Sequence, residues 1–500
     1  MHRFSPNPNL AHVVHWCEDE NDAFQKAREQ DRPVMLFLAA FWCRYCQRMD
    51  EEAFSERENM ALLNAYFIAL RVENAKRPDI DARYNLNGWP TLAFLAPNGK
   101  LLAAANYLRA EEFKELLLNM YMEYERSREE IRSVPTESSP ATAAARKKPS
   151  LNQLAEVSEV ILSLADPVNG GYGRGQKFIQ AEADEFLLRR YESARDPRCL
   201  DAARLTLDRM RASPIYDQND GGYFRTTTGA DWTQPHREKL LGEHAGLLEN
   251  CLRIFRLTQN PAYARMAEEI IDYLERKLFD AGKPAFFGCE DFLRRDEKAR
   301  ADDFFTIIDE CIYTDQNAQT IVAYLGAADV LGRPDCKTRA LGVLEFLWRR
   351  NRSDREGMFH YSDEAPRAPG LLADQARMGI ALMHAFRATG DGNFLERAAQ
   401  LAEFVGARLT NPAGGYYDRG ASPLGFFGTR LTLIDQNGLA ASFFLMLAEA
   451  TKKTNYREAA LWALSAFSSD FSSWGIHAAP FGRALGEWLR EKDWSDGMVE

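Results

Sequence analysis

Several things are scarce in this chain. No apolar run is long enough to cross a bilayer. The N-terminus, MHRFSPNPNL, lacks the basic-then-apolar pattern of an export signal. Both absences predict a protein that stays in the cytoplasm and has no membrane partner. Basic residues are outnumbered, and the net charge of −11 excludes the cationic surface that nucleic acid or anionic lipid would require. Cysteine is sparse and scattered: of eight, only Cys43 and Cys46 lie close together, which is no secreted disulfide framework. The other six are expected to be small buried hydrophobes. A second C-x-x-C is also missing, and with only Cys17, His12 and His15 nearby, no metal is expected at the pair; no cofactor is called for.

What is present divides the 500 residues in two, as their number already implies. Residues 132–150, rich in proline and serine and free of aromatics, read as a flexible linker between a domain at 1–131 and another at 151–500. The first part alternates helical and strand-like segments: NDAFQKAREQ, then RPVMLFLAA, then one helix over RMDEEAFSERENMALLNAY, then FIALRV. TLAFLAP and KLLAAA follow as a hairpin across Asn98-Gly99, and a long helix closes the part. This is an α/β module. The second part has almost no strand signal but repeats every ~60 residues, from Glu243, Asp315, Asp374 and Asp435, each time as two helices. Glycine–aromatic turns (GGYGR, GGYFR, GMFHY, GGYYD) fall between the units. About twelve helical patterns, the first of each pair apolar nearly all round, predict six hairpins closed into an (α/α)6 toroid.

The chemistry centres on FWCRYCQRM. Cys43 follows a strand at the expected start of a helix, where a thiolate is favoured, and Cys46 stands one turn later within disulfide reach. Later, NGWPT places Pro90 before a strand, where a cis bond is available to proline. FWCRYCQRM and GWPTLAFLAPNGK resemble a thioredoxin-type active site and its cis-proline loop, which in that family lies against the cysteines and helps bind substrate. The wider segment from Ala23 through RPDIDARY, with ADPVNGGYGRGQKF, IYDQNDGGYFRTT and WTQPHREKLLGEHAGLL, is similar to a family that joins a thioredoxin-like domain to a six-hairpin glycosidase-like barrel. That family includes the spermatogenesis-associated thioredoxin-like proteins. The resemblance implies Cys43, Cys46 and Pro90 as the redox site. Three features depart from the pattern: Arg44-Tyr45 stands where the family has His-Trp, Arg237 replaces an aromatic, and the stretch before GWPT is shortened.

At a toroid's mouth, polar groups converge on a ligand. The candidates are Asp217, His236, Glu238, Glu243, His244, Asp315, Asp374 and Asp435, with the glycine–aromatic turns as lining. Acid–aromatic sets of this kind suit a sugar-like ligand, handled by two carboxylates or an acid/base pair. The plainer alternatives are that Asp315, Asp374 and Asp435 are helix caps, that His384 is a core histidine, and that the glycines serve positive φ. The leading expectation is a thiol–disulfide oxidoreductase acting on a protein or small-molecule thiol or disulfide. A carbohydrate-active enzyme regulated by a thioredoxin-like module comes second, and a non-enzymatic scaffold third.

Overall fold

The computed structural model describes residues 3–17, 19–133, 148–294 and 304–496. The expected linker lies largely outside them. The chain forms two units: residues 1–140 together with Gly420–Leu431, and the remainder.

The first unit is built on a five-stranded sheet: β1 (Trp16–Cys17), β2 (Val34–Ala39), β3 (Ile68–Glu73), β4 (Thr91–Leu95) and β5 (Leu101–Ala105), in the order β1-β3-β2-β4-β5. β2 and β3 run parallel, and β4 and β5 antiparallel. β2 is buried at every position, as its unbroken VMLFLA run requires of a strand covered on both faces. Helices α1 (Glu20–Gln30), α2 (Arg44–Glu51), α3 (Arg57–Tyr66), α4 (Pro78–Tyr84) and α5 (Ala110–Ser133) complete it. The single helix read across 48–66 is in fact α2 and α3, separated by a turn at 52–56 in which Phe54 is buried. The unit also takes in a segment that the sequence reading had placed in the second domain. Leu424 and Phe427 belong to its apolar cluster, and Phe427 stacks on Tyr84 with ring centroids 5.4 Å apart. The loop 420–431 carries these apolar side chains because that cluster buries them.

The second unit has twelve helices among the described residues: α6 (Leu151–Leu164), α7 (Ala181–Ala194), α8 (Pro197–Arg211), α9 (Leu241–Thr258), α10 (Pro261–Lys277), α11 (Thr314–Val330), α12 (Pro334–Arg350), α13 (Leu372–Thr389), α14 (Gly392–Arg408), α15 (Ile434–Thr451), α16 (Thr454–Ser465) and α17 (Ala479–Asp496). α7, α9, α11, α13, α15 and α17 pack in that order, and α17 returns to α7, so the inner ring closes. The other six lie outside it. Short strands, unseen in the sequence, occupy the connections; the longest pair is Cys289–Arg294 with Phe304–Asp309.

One device recurs at the inner helices. The fourth residue of each of four of them grips the backbone of the preceding glycine–aromatic or equivalent turn. His244 Nε2 accepts the Tyr223 N–H (2.8 Å), and its Nδ1–H donates to the Leu240 carbonyl (2.7 Å). Asn317 makes a two-way pair with Phe286 (2.9 and 2.9 Å), Gln375 with Met358 (2.9 and 3.1 Å), and Asn437 with Tyr416 (2.7 and 3.0 Å). In α7 the equivalent Asp184 takes the Tyr172 hydroxyl (2.8 Å). Gly222 (φ 77°) and Gly415 (φ 68°) leave room for these grips: a Cβ would come 2.9 Å from His244 Nε2 and 2.7 Å from Asn437 Oδ1 respectively. Gly222→Ala is therefore expected to destabilise the barrel by ~1–3 kcal/mol, combining left-handed strain with a clash. Thermal or denaturant unfolding checks this. Wild-type stability in the variant would show that the turn is not held in this way.

Candidate functional site

In the first unit, β2 ends at Ala39 and a tight turn, Cys43 N–H to Ala40 carbonyl (3.0 Å), delivers Cys43 to the N-cap of α2. Its sulfur accepts the Cys46 N–H (3.1 Å), and the two cysteines form a disulfide with Cα atoms 5.2 Å apart. α2 has no acidic residue in its first turn. A negative sulfur at this point therefore meets free N–H groups and the positive end of the helix, with no carboxylate from that turn opposing it. Neither cysteine is exposed: Cys43 is 5% and Cys46 2% accessible. The bonded pair sits within the apolar cluster that Trp42 and Trp89 pack against, and those two indoles meet edge to face at 5.3 Å. The Trp89–Pro90 peptide is cis. Its loop is held by Thr91 Oγ donating to the Gly88 carbonyl (2.8 Å), Asn106 Nδ2 donating to the Pro90 carbonyl (3.1 Å), and Trp89 Nε1 donating to Asp81 (2.8 Å). Tyr45 is 53% exposed and leans on Tyr107. The remaining six cysteines are buried; burial pushes the thiols of Cys17, Cys199 and Cys336 up to about 11, outside the nucleophilic range.

In the barrel, the residues picked from sequence separate into two groups. Asp217 and His244 are struts. Asp217 holds its own turn through the N–H groups of Asn219 and Asp220 and pairs with the fully buried Lys239 amine (2.7 Å). His244 grips its turn as described, and burial pushes its pKa down to about 4, so it is neutral. His236 is exposed on a two-residue strand paired with Thr226–Thr227. The turn aromatics Tyr172, Tyr223 and Tyr416 are buried in the helical core and do not line a mouth.

The others gather where the inner helices begin. Glu238 is buried on Arg225 (2.8 Å). Glu243, in the first turn of α9, is pushed up to about 8 by burial, with Arg225 opposing and Glu238 adding to the shift; its Oε2 has no partner. Asp315, Asp374 and Asp435 are second or third residues of their helices, so none is the N-cap residue itself, although Asp315 Oδ1 accepts the Gln316 N–H of its first turn (2.8 Å). Asp374 is fully buried with both oxygens 3.0 Å from His360 Nδ1, and burial, opposed by the imidazole, puts it at about 6. Asp315 stands 4.0 Å from the same nitrogen. These three bring ligand atoms within 4.8 Å of one another, and both Asp374 oxygens already face the imidazole, so the set reads as a hydrogen-bonded carboxyl–imidazole pair with Asp315 beside it. Burial raises Asp435, Glu182 adding and His477 opposing.

Sequence reading missed the lumen itself. Arg377 of α13 bonds Glu182 of α7 (2.6 Å), and these helices stand opposite each other in the ring. Further along, Glu185 meets Arg483 and Arg189 (2.8 Å each), and Arg189 meets Glu487 (3.4 Å). Burial pushes Glu249 up to about 7, Glu185 adding to the shift. His384 belongs with these charges and not with the apolar core: burial first, then Arg387 and Arg189, push it down to about 3. The available signal was charge within helices that are otherwise apolar on most faces. Buried polar atoms without a partner recur on this ring: Gln316 Oε1, Gln436 Oε1, Ser442 Oγ, Glu487 Oε2, and Nε and Nη2 of Arg483, besides Glu243 Oε2.

Together these features define a thioredoxin-like domain with a C-x-x-C disulfide, joined to an (α/α)6 toroid of the six-hairpin glycosidase-like fold. Residues 7–140 match the family model Thioredox_DsbH, described as a protein of unknown function, DUF255. The chain is homologous to human spermatogenesis-associated protein 20, 27% identical over 313 residues that make up 56% of this chain and 39% of that protein. It thus spans about two fifths of the length of the curated relatives it matches. The toroid is similar in fold to cellobiose 2-epimerase from Spirochaeta thermophila (TM-score 0.55, 15% identity, covering 70% of this chain and 99% of that one). It is likewise similar to a D-mannose isomerase (TM-score 0.54, 14% identity, 71% and 100% covered). No helix among the described residues is long and apolar enough to cross a membrane.

Glu243 supplies a pH test. Its folded-state pKa is raised, so the protonated form fits the fold. Its contribution is complete below its ordinary value near 4.5 and is lost as pH rises toward about 8. Glu243→Gln is expected to gain stability over the wild type across that window, by about 3 kcal/mol at pH 7. A stability difference that stays flat with pH would place Glu243 in contact with water.

Proposed function

We propose that this chain is a thiol–disulfide oxidoreductase whose working group is Cys43–Cys46. The observation that carries the reading is the N-cap position of Cys43, with its sulfur on the Cys46 N–H, beside the Pro90 loop. A thiolate on Cys43 attacks one sulfur of a partner disulfide and forms a mixed disulfide, expelling the partner's other sulfur as thiolate. Cys46 thiolate then attacks Cys43, closing the 43–46 bond and releasing the reduced partner. The reverse sequence oxidises a dithiol partner. The partner is a protein or a small thiol compound, and the cytoplasm is the proposed setting. In the reduced full-length chain, alkylation at mildly acidic pH should label Cys43 well before Cys46, read by peptide mass spectrometry. Equal labelling, or Cys46 first, contradicts the assignment.

A second reading concerns the barrel: it binds a small polyhydroxylated, sugar-like ligand. The support is the set of unpartnered donors and acceptors on the inner helices, together with the acidic side chains of the first turns, Glu243 (held protonated by burial), Asp315 and Asp435. The solved epimerase and isomerase of like fold are consistent with that class of ligand. Under this reading the ligand occupies the mouth and lumen, leaving His236, on its exposed strand, at the rim. Neutral sugars and sugar phosphates are expected to raise the thermal midpoint of the wild-type chain by mass action. Gln436→Leu should abolish the shift while the protein remains folded. No shift with any of them would leave the barrel as a scaffold.

A further inference from the structure

Asp50 lies where a carboxylate is least at home. It is in the last turn of α2, at the negative end of the helix, and is 1% exposed. Burial pushes its carboxyl above its ordinary value, with Arg71 opposing. Arg71, from β3, grips it with two N–H groups at 2.6 and 2.9 Å, and the Ser5 N–H adds a third bond at 2.9 Å. The Arg71 guanidinium lies 4.8, 5.0 and 5.7 Å from the ring centres of Phe37, Phe4 and Trp16. Phe37 and Arg71 are direct register partners across β2 and β3.

These positions have a geometric consequence. Asp50 follows Cys46 by four residues and Cys43 by seven (50−46 and 50−43), so all three share one face of α2. β2 runs directly into the turn that carries Cys43, and β3 carries Arg71. The ion pair therefore fixes the far end of the dithiol helix to the strand beside the one that feeds its near end. The N-terminal arm reinforces the fastening: Glu51 accepts from Ser5 Oγ (2.5 Å) and Asn7 Nδ2 (2.8 Å). A buried ion pair adds little net stability over an apolar pair of similar volume, yet it dictates geometry closely. Around α3 the ties are of another kind: Phe54 of the preceding turn packs on Phe113, Asn59 donates to the Ala110 carbonyl (3.0 Å), and the Lys114–Glu58 pair is exposed.

We propose that Asp50 and Arg71 are positioning residues for the dithiol. They set the rotation and height of α2 on the sheet, and with it the placement of Cys43 against the N–H groups of the helix start. This rests on the dithiol reading, but its test needs no protein substrate. The full-length chain is equilibrated in glutathione buffers, where the dithiol and oxidised glutathione yield the Cys43–Cys46 disulfide and two reduced glutathiones. The oxidised fraction is read by mass after alkylation, together with the alkylation rate of Cys43 in the reduced chain. Asp50→Asn and Arg71→Met are each expected to shift the equilibrium constant and the rate by about fivefold or more, and the conservative Asp50→Glu by less. Ile80→Ala, in the apolar cluster on the other face of the sheet, should lower the thermal midpoint without moving either readout. If the variants at 50 and 71 behave like Ile80→Ala, with both readouts within twofold of wild type, the pair only holds the fold and the proposal is wrong. Should Asp50→Asn fail to fold, Arg71→Met decides on the same two readouts: wild-type values overturn the proposal, shifted values support it. A wild-type chain that equilibrates with glutathione but accelerates exchange in no protein or small-molecule disulfide would count against the oxidoreductase reading and leave this one standing.

Discussion

The barrel depends on one small hydrogen-bonded grip. A neutral side chain at the fourth position of an inner helix reaches back to hold the backbone of the turn before it, in His244, Asn317, Gln375 and Asn437 alike. Each grip satisfies backbone groups that a buried turn would otherwise leave unpaired, at a cost of ~1–3 kcal/mol apiece. It also fixes where each inner helix starts, and therefore which side chains of its first turn point toward the mouth. The glycines follow from the grips, since a Cβ at Gly222 or Gly415 would occupy the place of the gripping atom. The acids are free to differ because they are not the anchor: the gripping residue keeps its place while the acid falls second in α11 and α15 and third in α9 and α13.

That offset explains what the sequence could and could not show. The repeat and its apolar first helices were enough for a closed toroid, because stacking of two-helix units leaves few alternatives. The pair in FWCRYCQRM and the proline of GWPT were enough for the redox fold. The roles of single polar residues were not legible. In DQN and GEH the third letter is the strut, and the acid before it lies in the first helical turn, where Asp315 accepts the Gln316 N–H. Asp217 reads as a ligand until Lys239, far along the chain, is seen to neutralise it. Arg377 and Glu182 were passed over because a pairing between helices on opposite sides of the ring leaves no local spacing to detect. Residues 420–431 were assigned to the barrel by position alone, and only the burial of Leu424 and Phe427 against Phe24 and Tyr84 shows otherwise.

The two units use buried charge in different ways. In the thioredoxin-like unit, one ion pair fixes a helix and leaves the cysteines among apolar and aromatic neighbours, where a thiolate is stabilised chiefly by helix N–H groups. In the barrel, charge fills the interior: acids at Glu243 and Glu249 are held toward their protonated forms and histidines at 244 and 384 toward neutrality, all mainly by burial. An interior with titratable groups set apart in this way can hold or move protons near neutral pH. The dithiol carries the more complete set of chemical parts, and on it the functional account stands.

The most direct measurement is a trapping experiment on the full-length chain. With Cys46 replaced by Ser, glutathione disulfide should leave a mixed disulfide that persists on Cys43, whereas the wild type resolves it to the 43–46 disulfide and releases the second glutathione. Mass spectrometry of the intact protein and its peptides reads both. A mixed disulfide that persists equally on the wild type, or that forms on Cys46 as readily when Cys43 is replaced, would contradict a nucleophile at Cys43 and a resolving partner at Cys46.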